Sequence, residues 1–291
     1  MIIIIDALNK HEFTGVLDEM FKLRARVFAG RLGWEVHVEN GREIDQFDAL
    51  DPAYVVGLDE EGHVISCVRA LQTTGPHMLS DVFSAILDGE PPLRSARLWE
   101  STRFCVDTQR LGRGRGPNTV SHATCELMIG SLEFAMNSGI EDIVTVIDPV
   151  MDRVLKRSDC APHGYVGKTV PMGKVPAMAA LLDCTPERIG RIRAFAGIEH
   201  DVFATEEQLA RLRDKPAAPA EQNVVSLSGA RTRRAVENTG AEGSRIAEYL
   251  MEQVRDSATS SEYEAARALI DRLSKREEFR SLERLIERAQ H

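Results

Sequence analysis

The first apolar positions of the chain predict a buried strand followed by a helix. Ile2 to Asp6 opens with an uninterrupted isoleucine run and ends at an acidic residue. From about Glu12 to Ala29 the apolar residues recur at the spacing of one helix face. They are Phe13, Val16, Leu17, Met20, Phe21, Leu23 and Val27. The pattern therefore predicts a helix with one packed face.

Apolar runs farther along the chain predict strands alternating with helices. Tyr54 to Leu58 and His63 to Gln72 have the composition of two strands, joined as a hairpin through the turn at 59–62. Further strands are expected at 97–106, 143–147, 165–170 and 177–183, and helices at about 120–138, 150–157, 185–195 and from near 205. Because a hairpin lies among interleaved strands and helices, the predicted class is α/β or α+β with a mixed central sheet.

Composition divides the chain into a globular domain at 1–213, a linker at 214–243 and a helical extension at 244–291. The linker is rich in Pro, Ala, Glu, Asn, Ser and Gly and has little periodicity, which is typical of a mobile segment. The extension has apolar stripes on charged helices, and Ser261-x-x-Glu264 has the form of a capping box. Because such stripes need a partner surface, the extension is expected to pair with itself, with a second copy or with an unknown partner.

Composition also narrows the functional classes. The net charge of -9 disfavours nucleic-acid binding, which relies on cations that neutralise phosphates. The isoleucine run lacks a basic leader and ends too early for a secretory or membrane-spanning segment, so a cytoplasmic protein is expected. The cysteines form no C-x-x-C pair, which favours reduced thiols over a disulfide scaffold or a metal site. They are Cys67, Cys105, Cys125, Cys160 and Cys184.

The long polar segment from Gly30 to Pro52 is the first candidate site. It is rich in glycine and charge, which argues against regular structure, and long loops in compact domains are often functional. The segment and its surroundings contain three kinds of binding group. Guanidinium groups can bind carboxylates, carboxylates can bind an ammonium, and aromatic faces can pack against a sulfonium or a ring. These residues are Arg24, Arg26, Phe28, Trp34, Asp45 and Asp48. An amino-acid-like ligand fits them; the alternative is that the aromatic residues are core anchors and the charges are solvated.

The predicted strand at 97–106 carries two opposite charges. Strict alternation places Glu100 on one face with Thr102 and Phe104, and Arg103 on the other, unless a bulge intervenes. Unpaired buried charge is costly. The strand therefore contains either an internal salt bridge or part of a site, and the sequence leaves both open.

A glycine-rich segment lies between that strand and the next predicted helix. In Gln109-x-x-Gly112-x-Gly114 the backbone N–H groups can approach a phosphate at the helix N-terminus, and neighbouring arginines add positive charge. The alternative is a flexible connection. The chain has no G-x-S-x-G elbow and no recognisable cysteine nucleophile motif, so direct attack by a bound amine is simpler than a covalent enzyme intermediate.

The order and spacing of these residues resemble the acyl-homoserine-lactone autoinducer synthases of bacterial quorum sensing. The resemblance covers roughly residues 1–200 and rests on Arg24, Phe28, Trp34, Asp45-Gln-Phe-Asp48, Arg69, Phe83, Glu100-Ser-Thr-Arg103, and Leu155-Lys-Arg-Ser158 followed by Gly164-Tyr165. It implies a fold similar to the GCN5-related N-acetyltransferases. In that fold a mixed sheet, splayed into a V and flanked by helices, holds the phosphopantetheine arm of the acyl donor.

The resemblance also implies a reaction and a set of site residues. The reaction is acyl transfer from a thioester to the amine of S-adenosylmethionine, then lactone closure with release of methylthioadenosine, so S-adenosylmethionine is a substrate and no cofactor is expected. Glu100, Asp45 and Arg103 are the implied catalytic residues, with Glu100 deprotonating the amine directly or through water. The implied substrate-binding residues are Arg24, Phe28, Trp34, Asp48, Arg69, Phe83, Phe104 and Thr145. The alternatives are a coenzyme A-dependent N-acyltransferase for another amine and a non-enzymatic regulator.

The acyl donor stays open between acyl-carrier protein and acyl-coenzyme A, with the carrier protein as the favoured partner. The loop of Gln109, Gly112 and Gly114 would hold the donor's phosphate or pantetheine. A local excess of cations would dock an acidic carrier protein, unless it is only a solvated helix face. These cations are Arg153, Lys156, Arg157, Lys168 and Lys174. Thr145 would either contact a 3-oxo group of the acyl chain or bond to the backbone.

Overall fold

The computed structural model describes residues 1–34, 36–108, 110, 120–172, 175–213 and 215. Within these ranges the strands are β1 (Ile2–Ile5), β2 (Val38–Glu39), β3 (Arg42–Glu43), β4 (Ala53–Leu58), β5 (Val64–Gln72), β6 (Leu98–Val106), β7 (Asp142–Ile147), β8 (Gly164–Met172) and β9 (Val175–Asp183). The α-helices are α1 (Thr14–Ala25), α2 (Met78–Asp81), α3 (His122–Asn137), α4 (Pro149–Arg157), α5 (Pro186–Ala196) and α6 (Glu206–Arg213). Short helical turns cover Arg26–Arg31, Gln46–Leu50 and Ser84–Leu87. The predicted linker and extension lie outside these ranges except for Lys215.

Seven of the described strands form one mixed sheet in the order β1-β4-β5-β6-β7-β9-β8. Its neighbouring strands are antiparallel except for β6 and β7, which run parallel. The predicted hairpin is β4–β5, and the other predicted strands occur within a few residues of their expected ends. The mixed sheet with flanking helices is therefore confirmed.

The sheet is split between β6 and β7. These strands pair only over Leu98–Ser101 and Asp142–Thr145. Beyond that point β6 continues to Val106 and β7 to Ile147 without further pairing between them. The split opens toward the carboxyl ends of the two strands, which is the V shape that the resemblance implies.

Helices cover both faces of the sheet because successive strand residues point to opposite sides. On β4, Val55 belongs to the core beneath α3 and α5, whereas Val56 belongs to the core beneath α1. The α3 helix approaches β1 closely at Gly130, where an added Cβ would lie 2.9 Å from Ile2 Cγ2. The absence of a side chain at Gly130 therefore allows α3 to pack this close to β1.

Several helices begin at the capping residues that the sequence offers. Ser121 Oγ accepts the backbone N–H of Thr124 at the start of α3. Asp148 and Thr185 cap α4 and α5, and each is followed by a proline at the first helical position. In the described part of the chain, no helix is both long enough and apolar enough to cross a bilayer.

The expectation of an irregular loop at 30–52 is wrong at its centre. There, Val38–Glu39 and Arg42–Glu43 pair as a hairpin. Its turn residues Asn40 and Gly41 have φ values of 51° and 74°, the left-handed pair that an Asn-Gly hairpin turn requires. The Asn-Gly pair is the sequence signal for this hairpin.

Candidate active site

A cluster of alternating charges lies between α1, the β2–β3 hairpin and the near face of β5 and β6. Its members, here called the ion-pair cluster, are Arg24, Glu43, Asp45, Asp48, Arg69 and Arg103. Arg24, Glu43 and Arg69 are fully buried. Every charge in the cluster meets an opposite charge, so the cluster meets the pairing requirement of buried ions.

Arg24, at the end of α1, holds two carboxylates at once. Its Nε donates to Glu43 Oε2 at 2.6 Å, and its two Nη groups donate to the two oxygens of Asp48 at 2.8 and 2.9 Å. Burial alone would raise the pKa of Asp48, but the hydrogen bonds from Arg24 and the charges of Arg24 and Arg69 hold it well below its usual range. Asp48 is therefore ionised at any pH at which the protein functions.

Arg69 on β5 joins both aspartates to the sheet. Its Nη1 donates to Asp45 Oδ1 at 2.5 Å and to Asp48 Oδ1 at 2.8 Å, and its Nε donates to Thr102 Oγ1 at 3.0 Å. The hydroxyl of Tyr54 donates to Asp48 Oδ1 at 2.7 Å. Asp48 thus has a full set of donors and only 4% of its side chain exposed, which identifies it as a buried anchor.

The spacing of the two aspartates has a local cause. Asp45 Oδ1 accepts the N–H of Phe47 at 2.9 Å, and Asp48 Oδ2 accepts the N–H of Asp45 at 2.8 Å. This reciprocal capping box starts the helical turn Gln46–Leu50 and directs both side chains toward the arginines. Asp45 remains the more open of the two, with 16% of its side chain exposed.

Arg103 enters the cluster because β6 contains a bulge. The register against β5 shifts between Cys67 and Arg69, and Arg103 has a left-handed φ of 58°. Its Nη2 donates to Asp45 Oδ2 at 2.7 Å and to Glu43 Oε1 at 3.0 Å. Strict alternation along this strand is therefore wrong beyond Thr102: Arg103 turns toward the side of Glu100.

The bulge also changes the position of Phe104, which was expected on the face of Glu100. Phe104 instead packs on the α3 side of the sheet, against the core that includes Trp99 and Ile143. It is half-buried there and stands apart from the ion-pair cluster. One extra residue in β6 thus exchanges the faces of two adjacent side chains.

Glu100 is fully buried beside the cluster and is held by the first turn of α2. Its oxygens accept the N–H groups of Met78 at 2.6 Å and Leu79 at 2.7 Å. Burial raises the pKa of Glu100 to about 7, and the two backbone hydrogen bonds lower it only in part. Arg69 and Arg103 each donate to Met78 Sδ at 3.4 Å, so α2 links Glu100 to the cluster.

The aromatic candidates differ in accessibility. Phe28 and Trp34 stack with ring centroids 5.2 Å apart, and the Arg103 guanidinium lies 5.5 Å from the Phe28 centroid. Phe28 is buried, but 44% of Trp34 is exposed, so one side of the stack is open to solvent. Phe83 packs with Phe47 and Met78 and so supports α2.

Thr145 stands where β6 and β7 stop pairing. Its hydroxyl donates to the carbonyl oxygen of Ser101 at 3.0 Å. This is the backbone bond that the sequence offered as one of two roles. Because the hydroxyl proton already bonds to Ser101, Thr145 can donate to a substrate carbonyl only if its hydroxyl turns away from Ser101.

The candidate phosphate loop of Gln109, Gly112 and Gly114 lies outside the described residues, and so does Lys174. The four described cations of the predicted dock are exposed; they are Arg153, Lys156, Arg157 and Lys168. Lys156 pairs with Asp152 at 2.7 Å and lies over the ring of Tyr165, and Lys168 pairs with Asp88. Two of these charges are therefore partly neutralised by neighbouring carboxylates.

Sequence reasoning missed Glu43, Tyr54 and the α2 backbone amides. Glu43 lies in the segment that was interpreted as irregular, two residues before Asp45, and both carboxylates accept from Arg103 Nη2. Among the described residues, no group of histidine, cysteine and carboxylate side chains has the arrangement of a metal site.

Comparison with known proteins assigns this arrangement to a family. The sequence profile described as autoinducer synthase matches residues 8–192. The acyl-homoserine-lactone synthase of Agrobacterium fabrum is 38% identical over 170 residues, which are 58% of this chain and 80% of the relative. The acyl-homoserine-lactone synthase of Pseudomonas aeruginosa is 35% identical over 159 residues, 52% of this chain and 77% of that relative.

Solved structures agree with the sequence comparison. The crystal structure of the synthase LasI is 29% identical with a TM-score of 0.57 and matches 67% of this chain and 94% of its own. A CoA-dependent synthase, MesI, is 27% identical with a TM-score of 0.60 and matches 70% of this chain and 99% of its own. The chain therefore belongs to the autoinducer synthase family of acyl-homoserine-lactone synthases, which are acyl-transferring enzymes.

Proposed function

We propose that this chain transfers an acyl group from a thioester to the amine of S-adenosylmethionine and then closes the homoserine lactone. The observation that carries the proposal is the exposed edge of the ion-pair cluster. Asp45 and Arg103 are its most accessible members, with 16% and 10% of their side chains exposed, and Trp34 lies close by. A carboxylate, a guanidinium and an open aromatic face match the ammonium, the carboxylate and the adenosyl sulfonium of one substrate.

Glu100 is the proposed general base. The amine of S-adenosylmethionine attacks only after it loses a proton, and a carboxyl group with a pKa of about 7 suits that task near neutral pH. Each Glu100 oxygen accepts one backbone N–H and keeps a second lone pair. Because Glu100 is fully buried, a water relay from the amine to this lone pair is the proposed path.

The two steps need only positioning and proton transfer. The amine nitrogen attacks the thioester carbonyl carbon, and the thiol leaves with a proton. The carboxylate oxygen of the acylated product then attacks its own γ-carbon, and methylthioadenosine leaves with the bonding electrons. Since the sulfonium is already a good leaving group, the protein has chiefly to fold the substrate back on itself. The proposal therefore includes no cofactor.

Direct transfer agrees with the state of the thiols. All five cysteines are buried. Burial raises the pKa of the Cys125 thiol to about 11 and that of Cys184 to about 12, which disfavours the thiolate that a covalent acyl-enzyme would need.

Acyl-carrier protein is the proposed donor. Exposed cations on α4 and β8 offer a surface for an acidic protein, although Asp152 and Asp88 neutralise part of it. Acyl-coenzyme A is the second candidate because the structurally similar synthase MesI is CoA-dependent. Reversing the charges of Lys156 and Arg157 should raise KM for acyl-carrier protein and leave KM for S-adenosylmethionine unchanged.

The test of the proposal is reconstitution with purified full-length protein. S-Adenosylmethionine is supplied with either acyl-carrier protein or coenzyme A thioesters, and products are identified by mass spectrometry. We expect acyl-homoserine lactone and methylthioadenosine in equal amounts. Acylation of some other amine without methylthioadenosine would instead identify a coenzyme A-dependent N-acyltransferase.

A further inference from the structure

One backbone segment connects Glu100 on β6 with β8, the last strand in the order of the sheet. Residues 78–88, here called the crossing segment, contain α2 and the helical turn Ser84–Leu87. At its start, α2 donates two backbone N–H groups to Glu100. Apolar side chains of the segment pack in one core with residues of β7, β8 and β9, so the segment links the two halves of the split sheet. These side chains are Leu79, Ile86 and Leu87.

A chain of backbone hydrogen bonds runs through the crossing segment. The N–H of Ile86 donates to the Phe83 carbonyl at 2.9 Å, and the N–H of Phe83 donates to the Met78 carbonyl at 2.8 Å. That carbonyl belongs to the same planar peptide group as the N–H of Leu79, which donates to Glu100 Oε1 at 2.7 Å. Displacement of the turn at Ile86 is therefore transmitted to the amide that holds the carboxylate.

Gly167 on β8 has no side chain at the place where the turn packs against this strand. Its φ is 62°, and an added Cβ would lie 1.9 Å from the Ile86 carbonyl oxygen and 3.1 Å from Leu87 Cα. Because Cβ contacts shorter than 3.0 Å essentially do not occur, a side chain here would push the two backbones apart by about 1 Å. The strand is paired with β9 on both sides of Gly167, at Val166 and Val170, so the turn is the part that moves.

A displaced amide would make Glu100 more basic. Burial raises the pKa of Glu100, and the two N–H groups of α2 oppose that shift. A gap of about 1 Å is too narrow for a water molecule, so no solvent replaces a hydrogen bond lost in this way. The pKa of Glu100 therefore depends on how closely the crossing segment is held.

Other charged or titratable groups act on Glu100 from the elements around it. Arg69 on β5 lowers the pKa of Glu100, and Asp81 on α2 raises it. Arg103 on β6 contacts the first residue of α2, and His77 occupies the N-cap position of that helix. A substitution on β8 replaces none of these groups, so a change in the pKa of Glu100 would report the position of α2.

We propose that Gly167 is a positioning residue for Glu100: its missing side chain lets β8 support the crossing segment at the distance that keeps the Leu79 amide on the carboxylate. The inference rests on the proposed function, in which Glu100 is the general base. It couples the base, on one half of the split sheet, to the last strand of the other half. Gly167 acts only through the backbone of the turn.

Gly167→Ala tests the proposal through the pH dependence of the reaction. Loss of one hydrogen bond to the charged carboxylate should raise the pH midpoint of acyl transfer by about one unit. The rate at pH 7 should therefore fall about fivefold and recover at alkaline pH, which a general loss of structure would not allow. The pH dependence of urea unfolding gives the same midpoint without any substrate.

Gly197→Ala is the matched control. Gly197 ends α5 with a φ of 66°, close to that of Gly167, but an added Cβ would meet no atom within 4 Å. Both variants therefore share the strain of an alanine in the left-handed region, and only Gly167→Ala displaces the turn. We expect an unchanged midpoint in Gly197→Ala, and an equal shift in both variants would overturn the proposal.

A second variant, Ile86→Ala, serves if Gly167→Ala does not fold. It loosens the turn by removing a fully buried side chain and should shift the midpoint in the same direction by a smaller amount. Its control is Ile192→Ala, which removes an equally buried isoleucine from the core beneath α3 and α5 and should leave the midpoint unchanged.

The outcomes separate this inference from the proposed function. An unchanged midpoint in folded Gly167→Ala overturns the inference, and where that variant does not fold, an unchanged midpoint in Ile86→Ala does so. Wild-type protein that makes no lactone refutes the proposed function. In that case the unfolding measurement still decides whether Gly167 positions Glu100.

Discussion

Arg103 donates a hydrogen bond to Asp45 at 2.7 Å from a backbone position with a φ of 58°. A non-glycine residue in this region costs of order 1–3 kcal/mol and persists where surrounding contacts over-determine it. Here Glu43, Asp45 and the Phe28 ring supply those contacts. The bulge therefore turns a strand side chain, which alternation would direct to α3, into a cation of the ion-pair cluster.

Asn substitutions at the two aspartates should separate binding from stability. Asp45→Asn keeps the shape but removes the partly exposed charge that would meet an ammonium, so we expect lactone formation to fall at least a hundredfold in a protein that still folds and loses less stability than Asp48→Asn does. Asp48→Asn leaves Arg24 and Arg69 without their shared buried anion, which should cost about 3–5 kcal/mol of folding free energy. Steady-state kinetics and thermal unfolding measure the two effects.

Each of the two variants is the control for the other. Both variants change one carboxylate to an amide in the same capping box, so a general loss of the helical turn would affect them alike. Near-wild-type turnover in folded Asp45→Asn would contradict the assigned role of that side chain. Equal losses of stability in the two variants would contradict the division into an exposed edge and a buried anchor.

Glu100 should make stability depend on pH. Burial raises its pKa from 4.5 to about 7, although the N–H groups of Met78 and Leu79 oppose the shift. The folded protein therefore binds this proton more tightly than the unfolded chain does. The resulting stability is fully present below about pH 4.5 and is lost as the pH rises through about 7, with a slope of at most about 1.4 kcal/mol per pH unit.

Urea unfolding across that pH range checks the sign. Glu100→Gln should remove the slope because the amide does not titrate, so the curves of wild type and variant should diverge as the pH rises. Parallel curves would show that burial does not raise the pKa of Glu100. The same residue should make wild-type acyl transfer increase with pH through about 7, since the base acts only after it loses its proton.

Much of the fold is readable from the sequence because its signals are local. The β-branched run Ile143 to Ile147 and the Thr185-Pro186 start of α5 each appear where the pattern predicts them. The bulge at Arg103 leaves no such trace, since an arginine in a left-handed position has no glycine or asparagine to mark it. Glu43 was missed for another reason: its Asn-Gly hairpin signal was outweighed by the charge and glycine content around it.

Thr145 allows a direct test of its two roles. Because its hydroxyl donates to the Ser101 carbonyl, Thr145→Val should lower the free energy of unfolding by about 1 kcal/mol, and Thr145→Ser should not. We expect the ratio of rates for 3-oxo and unsubstituted acyl donors to stay constant in Thr145→Val. A selective loss of the 3-oxo rate would instead show that the hydroxyl turns from Ser101 to the substrate.

Removal of residues 216–291 should leave a folded, active synthase. The family match ends at residue 192, and none of the site residues that the structure describes lies beyond Lys168. The cut belongs after Lys215 because the Nζ of Lys215 donates to the Gly62 carbonyl at 2.7 Å and lies 2.8 Å from Glu19. We expect soluble protein with wild-type kcat. A smaller oligomer than the full-length chain forms would show that the removed segment self-associates.

A shorter chain that ends at residue 205 is the matched control. It lacks α6, whose Leu212 is 5% exposed and belongs to the core beneath α1. Loss of one buried leucine costs about 2–5 kcal/mol, and each kcal/mol lowers the melting temperature of a domain this size by about 2–4 °C. The control should therefore melt well below the chain that ends at Lys215. An insoluble or inactive protein ending at Lys215 would mean that residues 216–291 complete the catalytic core, and the boundary near residue 214 would then be wrong.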